Sequence, residues 1–235
     1  YVASLTYSGK QGIYTNSDDE SLAIKFRVDH SIFDGKLKAE LNLNDKIAGQ
    51  GYVADDIYDV ASKWNPTFPM YNDEGEYYMT NAETPICKAR EWQGLNNYNQ
   101  LSTSGKLSLR PIEALTLSVL GAYQNDYNEN EWWGSHKTYA AVYGAEDGYA
   151  RLSGGHGDDR ILELQADYAK SIGDHSFSTT AGYSYNRYLY QQWSMTAYDY
   201  PVDGFGVWNI NTANSTIDGL SKLSSYKWER KLIGF

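Results

Sequence analysis

Residues 21–47 read SLAIKFRVDHSIFDGKLKAELNLNDKI, and this stretch decides the fold. Apolar side chains recur at every second position on both sides of Asp34-Gly35, with polar and charged side chains between them. A period of two is the pattern of β-strands that have one apolar and one polar face. Asp-Gly between two such runs is a strong hairpin signal, because glycine supplies the positive φ that a primed turn needs. The sequence therefore predicts a β-hairpin that turns at Asp34-Gly35.

The two strands of this hairpin are long, at about 12 residues each against about 5–6 in ordinary globular proteins. A strand rises ~3.3 Å per residue, so each of these strands is about 40 Å long. Tilted by about 40°, such a strand covers ~30 Å, which is enough to cross the apolar band, about 25 Å tall, of a transmembrane barrel. We therefore expect the apolar faces to meet lipid and the polar faces to meet a lumen or a plug.

Similar alternation predicts six further strands, the last of them weakly: 1–7, 99–109, 115–124, 159–170, 175–185 and 222–235. Short turns join some of these strands, and long polar connections at 49–98, 125–158 and 186–221 join the others. Because antiparallel strands alternate in direction, the short turns then share one end of the sheet and the long loops share the other. The fold class that we expect is all-β: an antiparallel transmembrane β-barrel segment of about eight long strands with long extracellular loops.

Composition excludes several classes of protein. The net charge is −10, which argues against a nucleic-acid partner because such a partner requires a basic surface. The single cysteine, Cys87, excludes an intrachain disulfide and a cysteine-rich metal site. No run of about 18 apolar residues is present, so no transmembrane helix is expected. The 22 tyrosines and 7 tryptophans suit a membrane interface and a sugar-binding surface equally well.

No catalytic site, metal site or cofactor is expected. The Gly-x-Ser-x-Gly motif of hydrolases is absent, and the four histidines have no His-x-x-His spacing. Acidic pairs such as Asp55-Asp56 lack the spacing of an EF-hand loop.

Four segments together resemble one family of transporters. Residues 65–78 read NPTFPMYNDEGEYY, and residues 1–12, 168–183 and 232–235 carry shorter motifs in the same order along the chain. In order and spacing these segments resemble the barrel of the SusC/RagA proteins, which are TonB-dependent outer-membrane receptors of Bacteroidetes.

The resemblance implies that residues 1–235 form a partial transmembrane β-barrel domain, without the plug domain and the closing strands. Outer-membrane transporters of this kind have about 22 strands around a plugged lumen. It also implies a place in the bacterial outer membrane and the import of oligosaccharides or peptides. The implied partners are the lipid bilayer, a SusD-like surface lipoprotein and, through the missing plug domain, the TonB complex.

Aromatic side chains of the predicted long loops are the candidate cargo-binding residues. Aromatic faces stack on the C–H groups of sugar rings, while neighbouring polar groups bind the hydroxyls. In the alternative interpretation, the same side chains pack the loops against one another or contact the lipoprotein. The candidates are Trp64, Tyr71, Tyr77, Tyr78, Trp92, Trp132, Trp133, Trp193 and Trp208, with Tyr139, Tyr198 and Tyr200 as further candidates.

Three other interpretations of the sequence remain open. In the first, the chain is a complete eight-stranded barrel that serves as an adhesin or anchor, and its first and last strands pair. In the second, it is an extracellular carbohydrate-binding β-sandwich, and its apolar faces pack against protein. In the third, it is a glycan hydrolase, which requires two carboxyl groups about 5–10 Å apart.

Overall fold

The computed structural model describes residues 1–144, 147–208, 212–213 and 222–235. Its described part contains an antiparallel sheet of eight strands, and each strand pairs with its neighbours in sequence. The strands are β1 (Val2–Lys10), β2 (Asp19–Ile32), β3 (Leu37–Tyr52), β4 (Trp92–Ile112), β5 (Leu115–Gly134), β6 (Tyr149–Ile172), β7 (His175–Tyr198) and β8 (Lys222–Gly234). Among the described residues β1 and β8 are the two edges, so the closed ring of a small barrel is not formed. The predicted all-β antiparallel fold is confirmed.

The turn predicted at Asp34-Gly35 is also confirmed. These two residues have φ values of 51° and 85°, and the Phe33 carbonyl accepts a 3.0 Å hydrogen bond from the Lys36 amide. The other short turns lie at residues 113–114 and 173–174. All three lie at one end of the sheet, here called the turn end, and the longer connections lie at the opposite loop end.

Strands β4 to β7 are much longer than predicted, with 21, 20, 24 and 24 residues. The predicted connections 49–98, 125–158 and 186–221 are therefore partly wrong, because residues 49–52, 92–98, 125–134, 149–158 and 186–198 lie in strands. These extensions carry polar side chains on both faces, so the apolar alternation stops although the backbone ladder continues. The connections that remain between β5 and β6 and between β7 and β8 are correspondingly shorter.

The described parts of the loop-end connections contain three short α-helices. They are α1 (Ile57–Lys63) and α2 (Pro85–Glu91), between β3 and β4, and α3 (Tyr139–Tyr143), between β5 and β6. The hydroxyl of Thr84 caps α2 by accepting from the Cys87 amide at 3.2 Å, and proline follows at the first helical position. In the described part of the chain, no helix combines the length and the apolar character needed to cross a membrane.

The two faces of the sheet differ sharply near the turn end. One of them, the apolar face, carries a belt of hydrophobic side chains from five neighbouring strands, and each is 38–58% exposed. The belt consists of Leu22, Ile24, Phe26, Leu41, Leu43, Leu107, Leu109, Leu117, Leu162 and Leu164. The first five were predicted to lie together on one exposed face, and the register places them so.

The opposite face, the polar face, carries charged and amide side chains at the same level. Arg27 forms ion pairs with Asp29 at 2.8 Å and with Glu40 at 3.7 Å, across β2 and β3. The described residues form no second layer over either face near the turn end, because the buried hydrophobic side chains all lie at the loop end. A β-sandwich would bury its apolar face, and this sheet exposes it.

Candidate functional site

Five aromatic rings from successive strands form a row across the polar face at the loop end. The aromatic row consists of Tyr52, Trp92, Trp132, Tyr149 and Tyr198, contributed by β3 to β7. Tyr52 and Trp132 stack with ring centroids 5.2 Å apart and planes 8° apart, and Trp92 stacks on Trp132 at 5.7 Å and 19°. Tyr149 continues the row with contacts to Trp92 at 5.8 Å and to Tyr198 at 5.2 Å. The row therefore links five strands at the point where the loops begin.

Two glycines make this stacking possible. A Cβ atom on Gly94 would lie 2.4 Å from the ring of Tyr52 and 2.7 Å from that of Trp132. A Cβ atom on Gly134 would lie 2.7 Å from the ring of Trp92. Glycine within a strand marks a place where another group approaches the backbone closely, and here that group is an aromatic ring.

A small pocket of ≈ 280 Å³ opens beside Tyr52 and Trp132, with polar side chains of both charges around it. Asp55 and Arg151 supply the charges, and Asn130 supplies an amide. The Tyr52 hydroxyl donates a 3.0 Å hydrogen bond to a β5 backbone carbonyl. The pocket can therefore accept a polar group next to an apolar or aromatic one.

A second group of tyrosines lies lower on the polar face, around β7 and β8. Tyr188 packs on Trp228 with ring centroids 5.1 Å apart, and Tyr190 packs on Tyr226 at 6.0 Å. Asp126 of β5 lies on the same face and accepts hydrogen bonds from the side chains of β4 and β5. Together with the aromatic row, this group gives the polar face an aromatic and amide-rich lining over much of its height.

A larger cleft of ≈ 790 Å³ lies between the β3–β4 and β5–β6 connections, and we call it the loop cleft. Inside it, the rings of Tyr71 and Tyr77 stack 5.5 Å apart. Arg90 donates a 3.3 Å hydrogen bond to the Tyr71 hydroxyl, and the Tyr77 hydroxyl donates one of 2.6 Å to Glu91. Burial and the bond to Glu91 raise the pKa of Tyr77. The cleft is lined by Tyr71, Asn72, Gly75, Glu76, Tyr77, Tyr78, Met79, Arg90, His136, Lys137, Val142 and Tyr143.

The buried carboxylate of Glu83 fastens these connections to the sheet. Glu83 is 8% exposed and accepts hydrogen bonds from the Trp92 indole at 3.0 Å and from the Tyr139 amide at 2.6 Å. The ammonium of Lys88 lies 3.9 Å from the same carboxylate and partly balances its charge. One side chain thus joins the aromatic row to the β5–β6 connection that forms one wall of the loop cleft.

His136 joins that wall to the connection after β7. Its Nδ1 lies 2.5 Å from a carboxylate oxygen of Asp203, and its Nε2 lies 2.6 Å from the carbonyl of Tyr200. Both partners are acceptors, so only the doubly protonated imidazolium satisfies both contacts. Burial is the largest single influence on this histidine and lowers its pKa, but the contacts with Asp203, the Tyr200 carbonyl and Asp147 together raise the pKa above its usual value.

The predicted cargo-binding residues fall into several places rather than one. Trp92, Trp132, Trp133 and Trp193 were expected in loops, and the structure instead places all four on strands. The structure puts Trp92 and Trp132 in the aromatic row, Tyr71, Tyr77 and Tyr78 around the loop cleft, and Trp64 edge-on against Phe68. Trp133 and Trp193 lie on the other face of the sheet, against a buried cluster that includes Tyr200, while Trp208 is 57% exposed.

Sequence analysis missed Tyr52 and Tyr149, which belong to the row. Both fall in segments where apolar alternation has stopped, so no strand was predicted around them. The one signal that points to them is the pairing of aromatic residues with glycines on neighbouring strands, and this signal appears only once the register is known.

The described residues contain no group of three or more His, Cys, Asp or Glu side chains that are arranged to hold a metal ion. The site described above is therefore built from aromatic rings, amides and a few charges.

Solved structures of other proteins share the fold of this chain. The chain is similar to a solved structure of the RagAB peptide importer in its "closed-closed" state, with 17% identity and a TM-score of 0.77 over 98% of this chain and 27% of that chain. The likeness is one of fold. The "open-open" state of the importer gives 17% identity and a TM-score of 0.76, again over 98% and 27% of the two chains. A structure of the RagAB peptide transporter gives 16% identity and a TM-score of 0.68, over 93% of this chain and 26% of that chain.

This chain therefore spans about a quarter of the length of the chains that it resembles. No protein-family model and no curated protein sequence matches it.

Proposed function

We propose that this chain is part of a SusC/RagA-type outer-membrane transporter that imports peptides. The observation that carries the proposal is the single antiparallel sheet, exposed and apolar on one face and polar and aromatic on the other, in the fold of the RagAB peptide importer. The resemblance drawn from the sequence motifs, such as residues 65–78, points to the same family.

In this proposal the apolar face meets lipid. Ten hydrophobic side chains in the belt are each 38–58% exposed, and a contiguous exposed patch of this kind marks a membrane or protein contact. Transmembrane barrels alternate apolar residues that face lipid with polar residues that face the lumen, and this sheet has that alternation from β2 to β6 near the turn end. The polar face then lines the lumen or contacts a plug domain.

The cargo is proposed to bind at the loop end of the polar face, by contact and without chemical conversion. Peptides fit the aromatic row better than sugar rings do, since Tyr52, Trp92 and Trp132 already stack on one another. Part of the aromatic surface that a sugar would cover is thus occupied by protein. An oligosaccharide cargo is the second candidate, favoured by the amide-rich tyrosine group around Tyr188 and Tyr190.

The proposed assembly also contains a SusD-like surface lipoprotein over the loop end and the TonB complex as the source of energy. Two features support a partner at the loop end: the connections there are anchored by Glu83 and His136, and they still leave the loop cleft open. Loops that are fastened in this way can present a fixed surface to another protein.

The test is to express the full-length protein in a Gram-negative host, separate the membranes and measure binding of labelled oligopeptides to the detergent-purified protein. We expect it in the outer-membrane fraction, with saturable peptide binding. Recovery as a stable protein without detergent, or as membrane protein that binds no oligopeptide, would contradict the proposal, and binding of oligosaccharides alone would favour the second candidate.

A further inference from the structure

The loop cleft concentrates positive charge in a chain whose net charge is −10. Among the described residues, its lining includes the exposed cations Arg90 and Lys137 and one carboxylate, that of Glu76. Within the described residues, neither cation has a carboxylate oxygen within 4.0 Å. By contrast, Lys63 and Lys88, which lie in the β3–β4 connection with Arg90, both form ion pairs.

The carboxylate of Glu91, the next residue along the chain, is directed to two hydroxyl groups instead of to Arg90. It accepts a 2.6 Å hydrogen bond from the Tyr77 hydroxyl on one oxygen and a 2.6 Å hydrogen bond from Ser135 on the other. The cation beside it in sequence is left facing the cleft.

Arg90 is also held in position. One of its terminal nitrogens donates to the Tyr71 hydroxyl at 3.3 Å, and Tyr71 is itself fixed by its stack on Tyr77. A guanidinium has five N–H donors in a rigid fork, and the described structure gives Arg90 one side-chain partner. The remaining donors suit a carboxylate, which arginine binds in a bidentate manner.

The rest of the cleft is apolar enough to hold a side chain next to that carboxylate. Val142 is 52% exposed and Tyr143 is 62% exposed, and both line the cleft with Met79. The cleft measures ≈ 790 Å³, within the range of about 300–1,000 Å³ that is usual for binding pockets. It therefore has room for a short stretch of peptide with an apolar residue close to an acidic group.

We propose that the loop cleft binds a carboxylate of the peptide cargo, from its C-terminus or from an acidic side chain, through Arg90 and Lys137. This proposal rests on the proposed function, since it names the cargo group that one site of the transporter recognises. A peptide is favoured over an acidic sugar because the wall formed by Met79, Val142 and Tyr143 suits an aliphatic side chain.

The test measures binding to the full-length transporter, purified with its partner, by fluorescence anisotropy. The probes are a decapeptide of alternating serine and valine, labelled at its N-terminus with an uncharged BODIPY dye, with a free C-terminus, the same peptide as its C-terminal amide, and the amide with one internal aspartate. We expect a peptide with a carboxylate to bind about tenfold more tightly than the plain amide. The free-acid and aspartate peptides show whether the C-terminus or a side chain supplies the group.

In the R90A/K137A double variant the advantage of the carboxylate should disappear, while the affinity for the amide stays the same. The matched control is Lys63→Ala, which removes an exposed cation of the same connection that is paired with Asp59 and lies outside the cleft lining. It should leave all affinities unchanged.

Three results would overturn the inference, and they are distinguishable from one another. Equal binding of all three peptides to the wild type refutes carboxylate recognition and leaves peptide import intact. A carboxylate preference that survives in the double variant refutes the assignment to Arg90 and Lys137. Binding of tetragalacturonate with no binding of any peptide refutes a peptide cargo and therefore the proposed function as well.

Discussion

Replacing Gly94 by alanine tests whether the aromatic row stabilises the sheet. The added Cβ atom would lie 2.4 Å from two ring carbons of Tyr52 and 2.7 Å from one of Trp132, against the ~3.5–4.0 Å at which carbon atoms pack best. Both are large side chains that are stacked on further groups, so the rings have to move by about 1 Å or more.

The size of the effect follows from three contributions. Overpacking of this kind costs about 1–3 kcal/mol. Loss of a stacked aromatic pair costs about 0.5–1.5 kcal/mol more. Replacing glycine by alanine returns about 0.4–1 kcal/mol, because it restricts the unfolded chain. We therefore expect Gly94→Ala to lower the free energy of unfolding by about 2 kcal/mol.

The assay is urea unfolding of the full-length protein in lipid vesicles, followed by tryptophan fluorescence and near-ultraviolet circular dichroism. Gly49→Ala is the matched control on the neighbouring strand, since its added Cβ atom would meet only the side-chain oxygen of Asn97, at an ordinary 3.6 Å. It should change stability by less than about 0.5 kcal/mol. If the two variants are equally stable and Gly94→Ala keeps the wild-type dichroism, the row does not have the packing described here.

Three further predictions concern the loop end. The ion pair between His136 and Asp203 should stabilise residues 199–208 fully below about pH 6.5, and this stabilisation should be lost as the pH rises through the raised pKa of His136. Hydrogen exchange, corrected for intrinsic rates, should therefore show less protection of these residues at high pH. In His136→Gln the pH dependence of that protection should disappear. Glu83→Ala leaves the half-buried Trp92 indole and the Tyr139 amide without an acceptor, so urea unfolding should show a loss of about 2–4 kcal/mol, against no loss for the exposed control Glu74→Ala. Cys87 is buried, and burial followed by nearby carboxylates raises its pKa to about 12, so a maleimide should label it only after unfolding; labelling of the folded protein would contradict its placement.

The strands near the turn end were predictable because apolar and polar side chains there alternate with the two faces of the sheet. Leu41 and Asn42 point to opposite faces of the sheet, one apolar and one polar, and the sequence shows this contrast as alternating apolar and polar residues. The turn at Asp34-Gly35 was predictable for a local reason, the positive φ of its residues.

The upper strands were not predictable in the same way. From residue 125 to Gly134, polar and aromatic side chains occupy both faces, so alternation carries no information although the hydrogen-bonded ladder continues. At the start of β6 the alternation is too short to recognise, because glycines at 154, 155 and 157 follow Ala150 and Leu152. Helices α1 and α2 were missed for a different reason: each has 7 residues, too few for a helical period to be recognised in the sequence.

The candidate site was predicted by residue type and missed in its arrangement. Aromatic residues in polar segments were correctly singled out as candidates, but sequence gives no way to tell that Trp132 and Trp133 lie on opposite faces of one strand unless that strand is recognised. Which cations of the loop cleft lack a carboxylate partner depends on where the nearby carboxylates are directed, as with Glu91, and that is decided by tertiary contacts.

The most direct test of the central claim is spin-label accessibility in liposomes. In a Cys87→Ala background, nitroxides placed one at a time at positions 41, 107 and 164 of the apolar face should be more accessible to oxygen than to a water-soluble nickel complex. Labels at the adjacent positions 42, 106 and 163 of the polar face should show the opposite preference. If the two sets of positions have the same accessibility, the apolar face does not meet lipid, and the assignment of this sheet to the wall of a membrane transporter is wrong.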